Sequence, residues 1–138
     1  MPFPMTGFEV LDRAECMQLL ASTNLGRVIL SVGALPAAFP VNYRVRGAAV
    51  IFRTGPGTKV TRALDSNVVG FEVDSVDAET GAGWSVLVVG SATIISDPDE
   101  IDVLEQWGIP SLAGDQLPLF VRISIDQISG RRIPGSSG

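Results

Sequence analysis

From Gly26 onward the sequence consists of short apolar segments of strand length, separated by turns that contain Gly, Pro, Asn or Asp. The first three segments follow one another closely, with a predicted turn from Gly33 to Pro36 and another at Gly47, as in an antiparallel meander. Helical segments do not alternate with these strands, which excludes a doubly wound parallel sheet. The predicted strands are residues 26–32, 37–46, 48–54, 68–74, 84–96 and 119–125. We therefore expect a mainly β (α+β) protein, a closed antiparallel barrel of about six strands with helices at its ends.

The helices are predicted from their capping residues. Asp12 and Glu15 form an Asp-x-x-Glu capping box at the start of an N-terminal helix. Asp97, followed by Pro98, begins a second helix, and a shorter one covers about residues 58–64. Within the long strand 84–96, Gly90 marks the expected position of a bulge or bend.

The composition limits both the class of protein and its partners. The 138 residues are enough for one domain, and 46% hydrophobic against 18% charged residues is typical of a folded chain. A net charge of −5 argues against a nucleic-acid partner. No segment approaches the ~20 apolar residues of a membrane helix. No signal peptide is evident at the start, so a cytoplasmic protein is expected.

The chain has no histidine and a single cysteine, Cys16. These absences exclude nucleophilic Ser-His and Cys-His pairs and the usual zinc sites, so no metal is expected and no catalytic residue is predicted. Chemistry would have to come from a bound cofactor. The same absences are compatible with a protein that has no catalytic activity.

The only lysine, Lys59, ends the sequence Phe-Arg-Thr-Gly-Pro-Gly-Thr-Lys, which leaves an apolar strand and enters the short helix. The segment brings together Arg53, Thr54, Thr58 and Lys59 with backbone amides in a glycine-rich turn. Guanidinium, ammonium, hydroxyl and amide donors are the groups that bind a phosphate. The alternative is that Arg53 pairs with a surface carboxylate and Lys59 is solvated.

This segment, preceded by Phe-Pro-Val-Asn-Tyr at residues 39–43, resembles the flavin-binding core of the pyridoxamine 5′-phosphate oxidase-like family, the FMN-binding split barrels. The resemblance continues through Gly-Trp-Ser-Val-Leu-Val-Val-Gly at 83–90 and Ile-Ser-Gly-Arg-Arg-Ile at 128–133. It implies a single FMN-binding split β-barrel domain over residues 1–133, followed by a flexible tail at 134–138. It also implies a homodimer with flavin sites at the subunit interface.

The resemblance assigns roles to particular residues. Arg53, Thr58 and Lys59 would hold the FMN phosphate, with Thr54 beside them. Val41 and Asn42 would offer backbone groups to the edge of the isoalloxazine ring. Trp84 and Ser85 would approach the flavin from the partner subunit. Arg131, or Arg132 next to it, would reach towards the cofactor.

The resemblance implies a flavin-dependent oxidoreductase whose small-molecule substrate is unknown. The Arg-x-His signature that binds the substrate phosphate in true pyridoxamine 5′-phosphate oxidases has no counterpart in Gly-Arg-Arg-Ile at 130–133, so that activity is not expected. Three alternatives remain open. They are a reductase that binds a deazaflavin in the same cleft, a non-catalytic flavin-binding or carrier protein, and a structural barrel dimer whose site has decayed.

Overall fold

A computed structural model describes residues 8–55, 59–110 and 119–135, with Lys59 and Val60 described by their backbone only. This part of the chain contains eight strands and three helices. In chain order they are β1 Glu9–Val10, α1 Arg13–Ala21, β2 Leu25–Val32, β3 Leu35–Arg46, β4 Ala49–Thr54, α2 Lys59–Leu64, β5 Val68–Val76, β6 Gly83–Ile94, α3 Pro98–Gln106, β7 Leu119–Ser124 and β8 Gln127–Ile133.

Six of the strands form a closed antiparallel barrel. Around the barrel the order is β6, β5, β2, β3, β4 and β7, and β7 pairs again with β6. β8 and β1 extend the sheet beyond the barrel from the other edge of β6. The predicted barrel of about six strands with flanking helices is confirmed. Neither β1 nor β8 was predicted as a strand. A two-residue strand carries no detectable alternation, and β8 contains a glycine and two arginines, which are not typical of a strand.

The barrel closes because β6 changes partner along its length. Its first part, Gly83 to Val89, pairs with β8, whereas Ala92 to Ile94 pair with β7. Where β6 changes partner, the backbone of Gly90 lies against Ser124. A Cβ on residue 90 would lie only 1.5 Å from the Ser124 carbonyl oxygen. This close approach of two backbones explains why residue 90 is glycine, since only glycine has no Cβ to prevent it.

The turns and helix starts follow local chemistry. Gly33 and Ala34 both have positive φ, +56° and +68°, as in the two-residue turns that join antiparallel strands. The predicted turn at 33–36 was therefore too long, and β3 begins at Leu35. Asp12 caps α1 as predicted, because its Oδ1 accepts a hydrogen bond of 2.8 Å from the Glu15 amide. Asp97 caps α3 in the same way.

Two apolar clusters meet at β4, whose first four residues are buried. One face, with Val50 and Phe52, packs into the barrel core, and the other, with Ile51, packs into a second cluster beneath α3. α1 is tied to the barrel because the Tyr43 hydroxyl donates a buried hydrogen bond to the Leu20 carbonyl. In the described residues no helix has the length and hydrophobicity needed to cross a membrane.

Candidate functional site

Arg53 lies near the end of β4, on the face that α3 covers. Its side chain is only 15% exposed, and its guanidinium carbon lies 4.5 Å from the centre of the Phe120 ring. Its Nη2 atom is 3.7 Å from a carboxylate oxygen of Glu105, and Nη1 donates to the Ile109 carbonyl over 3.4 Å. Nε is buried and has no partner among the described residues. The guanidinium therefore pairs with a carboxylate, as in the alternative interpretation, while its buried Nε–H has no partner among the described residues.

The strand–turn–helix arrangement after Arg53 is present in the backbone. β4 ends at Thr54, and α2 begins at Lys59. The Thr61 hydroxyl donates a 2.7 Å hydrogen bond to the Gly55 carbonyl, which fixes α2 against the end of β4. Thr58 and the side chain of Lys59 lie outside the described part of the molecule.

Val41 and Asn42 lie beside the end of β4. Val41 is buried, and Asn42 is half-buried. Both pair with β2 on one side, whereas β3 pairs with β4 only from Tyr43 to Arg46. The β4-facing edge of β3 therefore has no partner strand at Val41 and Asn42 within the described residues. Backbone groups on such an edge are available to a ligand.

Trp84, Ser85 and Arg131 form a separate group at the start of β6 and on β8. Ser85 pairs with Arg131, and Trp84 pairs with Arg132. Trp84 packs against the barrel core, so by strand alternation Ser85 and Arg131 face the other side of the sheet. In the sheet, β2 and β5 lie between β3 and β6, and β7 lies between β4 and β6, so other strands separate this group from Val41, Asn42 and Arg53.

Trp84 lines an open groove of about 450 Å³ at this end of the molecule. Its lining is mainly apolar, with Arg132 and Glu9 as the charged members; the residues are Glu9, Ala82, Gly83, Trp84, Arg132, Ile133 and Pro134. Arg132 lies 3.5 Å from a carboxylate oxygen of Glu9 and 3.7 Å from one of Glu15. Arg131 lies elsewhere, with its guanidinium 5.8 Å from the centre of the Phe8 ring.

The arginine that shares the groove with Trp84 is thus Arg132, the neighbour of the residue we favoured from sequence. The sequence carries no signal for this choice, because it depends on the register that places Arg132 opposite Trp84. The contribution of Glu9 has no sequence signal either, since it depends on the pairing of the short strand β1 with β8.

A charged cluster lies on the outer face of the sheet, on β2 and β5. Arg27 is 2.8 Å from Glu72 and 3.3 Å from Asp74. Burial, reinforced by the hydrogen bond and negative charge of Asp74 and opposed by Arg27, raises the pKa of Glu72 to about 7. Ile29 and Leu87, each 39% exposed, lie on the same face. This face therefore combines exposed apolar side chains with a carboxyl group that titrates near neutral pH.

In residues 8–55, 59–110 and 119–135, with the side chains of 59 and 60 excepted, no three His, Cys, Asp or Glu side chains are grouped so as to hold a metal ion.

Known proteins that resemble this chain in sequence or fold include one that binds FAD. Residues 12–132 match the sequence profile of a family described as pyridoxamine 5′-phosphate oxidase. An uncharacterized protein of Mycobacterium tuberculosis is 45% identical, and the match covers 97% of this chain and 92% of the relative. The structure of an FAD binding protein from Mycobacterium smegmatis superposes with a TM-score of 0.76 at 35% identity, covering 91% of this chain and 97% of that one. A conserved protein of unknown function from Corynebacterium diphtheriae gives a TM-score of 0.77 at 30% identity, covering 92% and 98%.

Proposed function

Because this chain belongs to the pyridoxamine 5′-phosphate oxidase family of split barrels, we propose that it binds a flavin and acts as a flavin-dependent oxidoreductase. The observation that carries the proposal is the likeness, over almost the whole length of both chains, to the FAD binding protein of Mycobacterium smegmatis. The lack of histidine in this chain agrees with it, since redox chemistry would then come from the cofactor.

The phosphate end of the flavin is assigned to the β4–α2 region. Arg53, Thr54, Thr58 and Lys59 supply the donors, and the buried Nε of Arg53, which has no partner among the described residues, supports a role for Arg53 beyond its pairing with Glu105. FMN, FAD and phosphate-bearing deazaflavins share a phosphate at this position, so the same residues serve any of them. We favour FMN as the smallest molecule that explains the phosphate-binding segment.

The ring end of the flavin is assigned to the open edge of β3. Backbone groups of Val41 and Asn42 at this edge orient the ring through hydrogen bonds, as the missing partner strand allows. The bound flavin supplies hydride exchange at its central ring. The protein contributes binding, orientation and the exclusion of water.

A second subunit completes the proposed site. Trp84, Ser85 and Arg131 are separated from the phosphate-binding residues within one chain, and a homodimer would bring them to the flavin of the partner. The exposed apolar side chains on the outer sheet face, among them Ile29 and Leu87, supply surface of the kind that dimer interfaces bury.

The experiment that tests this proposal is analysis of the cofactor. Purified protein should carry, or take up on titration, a chromophore with the ~450 nm absorption of oxidised flavin. Mass spectrometry of the released molecule separates FMN, FAD and deazaflavin. Protein that remains colourless and ignores all three would contradict the proposal.

A second measurement separates an enzyme from a flavin carrier. Anaerobic addition of NADH or NADPH should bleach the bound flavin if the protein is an oxidoreductase that takes electrons from a nicotinamide. Flavin that stays oxidised with both nicotinamides, although dithionite reduces it, would favour the carrier.

A further inference from the structure

We propose that the groove beside Trp84 binds a planar, mainly apolar molecule without a negatively charged group, and that such molecules are the substrates of this protein. The role as a substrate site rests on the proposed flavin-dependent activity. The selectivity of the groove does not, because it follows from the lining and charges of this chain alone.

The lining favours an apolar, flat ligand. Five of the seven residues around the groove, Ala82, Gly83, Trp84, Ile133 and Pro134, are uncharged and mainly apolar. The volume of about 450 Å³ is within the range of small-molecule sites. Trp84 is partly exposed while it packs against the barrel core, so an indole of fixed position is available for stacking.

The charges disfavour an anion. Arg132 is the cation of the groove, and the carboxylates of Glu9 and Glu15 lie 3.5 and 3.7 Å from it. Two negative charges therefore accompany one positive charge. A phosphate or carboxylate would have to displace at least one of these carboxylates or bind beside them, and both are unfavourable. Arg131 does not compensate, because it faces the other side of the sheet, next to Phe8.

This charge arrangement gives a structural reason for expecting a substrate other than a phosphorylated vitamin. An arginine that recognises a phosphate needs its guanidinium donors free for the ligand. Here Nε and Nη2 of Arg132 lie 3.5 and 3.7 Å from carboxylate oxygens of Glu9 on β1 and Glu15 on α1, and a bound phosphate would have to compete with them. The sequence alone gave only the missing histidine as an argument.

Three probes of the same shape test the selectivity: 2-naphthamide, 2-naphthoate and 2-naphthyl phosphate, with affinity measured by equilibrium dialysis. For the part of the binding that Trp84→Leu removes, wild-type protein should bind the uncharged amide about ten-fold or more tightly than either anion. Trp84→Leu should abolish most of the amide binding. The matched control is Trp107→Leu at the end of α3, outside the groove lining, which should leave it unchanged.

Glu15→Gln tests the charge argument by a gain of binding. This change frees Arg132 from one carboxylate but keeps the length of the side chain, and glutamine is accepted at this position of a capping box. Affinity for 2-naphthoate should rise about five- to ten-fold, with little change for the amide. Asp102→Asn, which removes an exposed carboxylate of α3 outside the groove lining, is the control and should change neither affinity.

The proposal is wrong if the binding that Trp84→Leu removes is as tight for either anion as for the amide, or if Trp84→Leu binds the amide normally. Selective amide binding by protein that takes up no flavin would support the groove and contradict the proposed oxidoreductase. The two proposals can therefore fail separately.

Discussion

Replacement of Gly90 by alanine should destabilise the barrel at the point where β6 changes partner from β8 to β7. An added Cβ would overlap the carbonyl oxygen of Ser124 and lie 2.7 Å from its carbonyl carbon. Carbon atoms in contact are normally ~3.5–4.0 Å apart, so the two backbones would have to separate by ~1 Å or more. The obstacle is main chain, which cannot rotate away as a flexible side chain would.

The cost can be worked from the bonds that hold this junction. The Ser91 amide donates to the Ser124 hydroxyl over 3.1 Å, and the Asp126 amide donates to the Val89 carbonyl over 3.2 Å. Their loss costs ~1 kcal/mol each, and the disturbed packing of the neighbouring core adds a comparable amount or more. We expect the free energy of unfolding to fall by ~3–5 kcal/mol, a large part of the stability of a typical domain.

The assay is urea denaturation followed by far-UV circular dichroism, and Gly70→Ala is the matched control. Gly70 is also a strand glycine, on the neighbouring β5, but a Cβ there would lie 3.4 Å from its nearest neighbour, the Cβ of Ile29. Gly70→Ala should change stability by less than ~1 kcal/mol. If Gly90→Ala proves as mild as its control, the explanation of barrel closure given above is incorrect.

Three further predictions concern α1, the outer sheet face and the phosphate-binding segment. Tyr43→Phe keeps the aromatic packing but leaves the buried Leu20 carbonyl without its donor, so urea denaturation should show a loss of ~1–3 kcal/mol; a loss below ~0.5 kcal/mol would contradict this. The pKa of Glu72 is raised from 4.5 to about 7 in the folded protein, so its contribution to stability is fully present below pH 4.5 and is lost as the pH rises through 7. Melting temperatures from pH 5 to ~8.5 should therefore fall more steeply for wild type than for Glu72→Gln, and parallel curves would refute the assignment. Lys59→Ala should weaken flavin binding by ~1–3 kcal/mol in a fluorescence titration, whereas Arg62→Ala on the same helix should not; equal affinities for the two variants would remove Lys59 from the site.

Much of the fold could be predicted from the sequence because its signals are local. Strand boundaries followed from turn residues, and the capping roles of Asp12 and Asp97 depend on groups within three residues of each. The errors lie where local signals are weakest. The two residues of β1 are too few to alternate, β8 contains a glycine and two arginines, and the turn at Gly33 is tighter than the prediction.

The candidate site was less predictable, since its geometry depends on residues far apart in the chain. The sequence indicated a phosphate-binding segment around Arg53, and the structure adds that its guanidinium lies against Phe120 and Glu105. Neither partner belongs to the motif. They reach Arg53 because β7 pairs with β4 and because α3 covers the same cluster.

The sequence by itself determined the class of the barrel, the helix starts and the likeness to flavin-binding split barrels, because strand periodicity, caps and motifs are properties of neighbouring residues. Only the tertiary structure decided how β6 divides between β8 and β7, and that Arg132 meets Trp84 while carboxylates of β1 and α1 offset its charge. The physical reason is strand register. Pairing places residues almost fifty positions apart, such as Trp84 and Arg132, side by side, and no local pattern specifies which residues will meet.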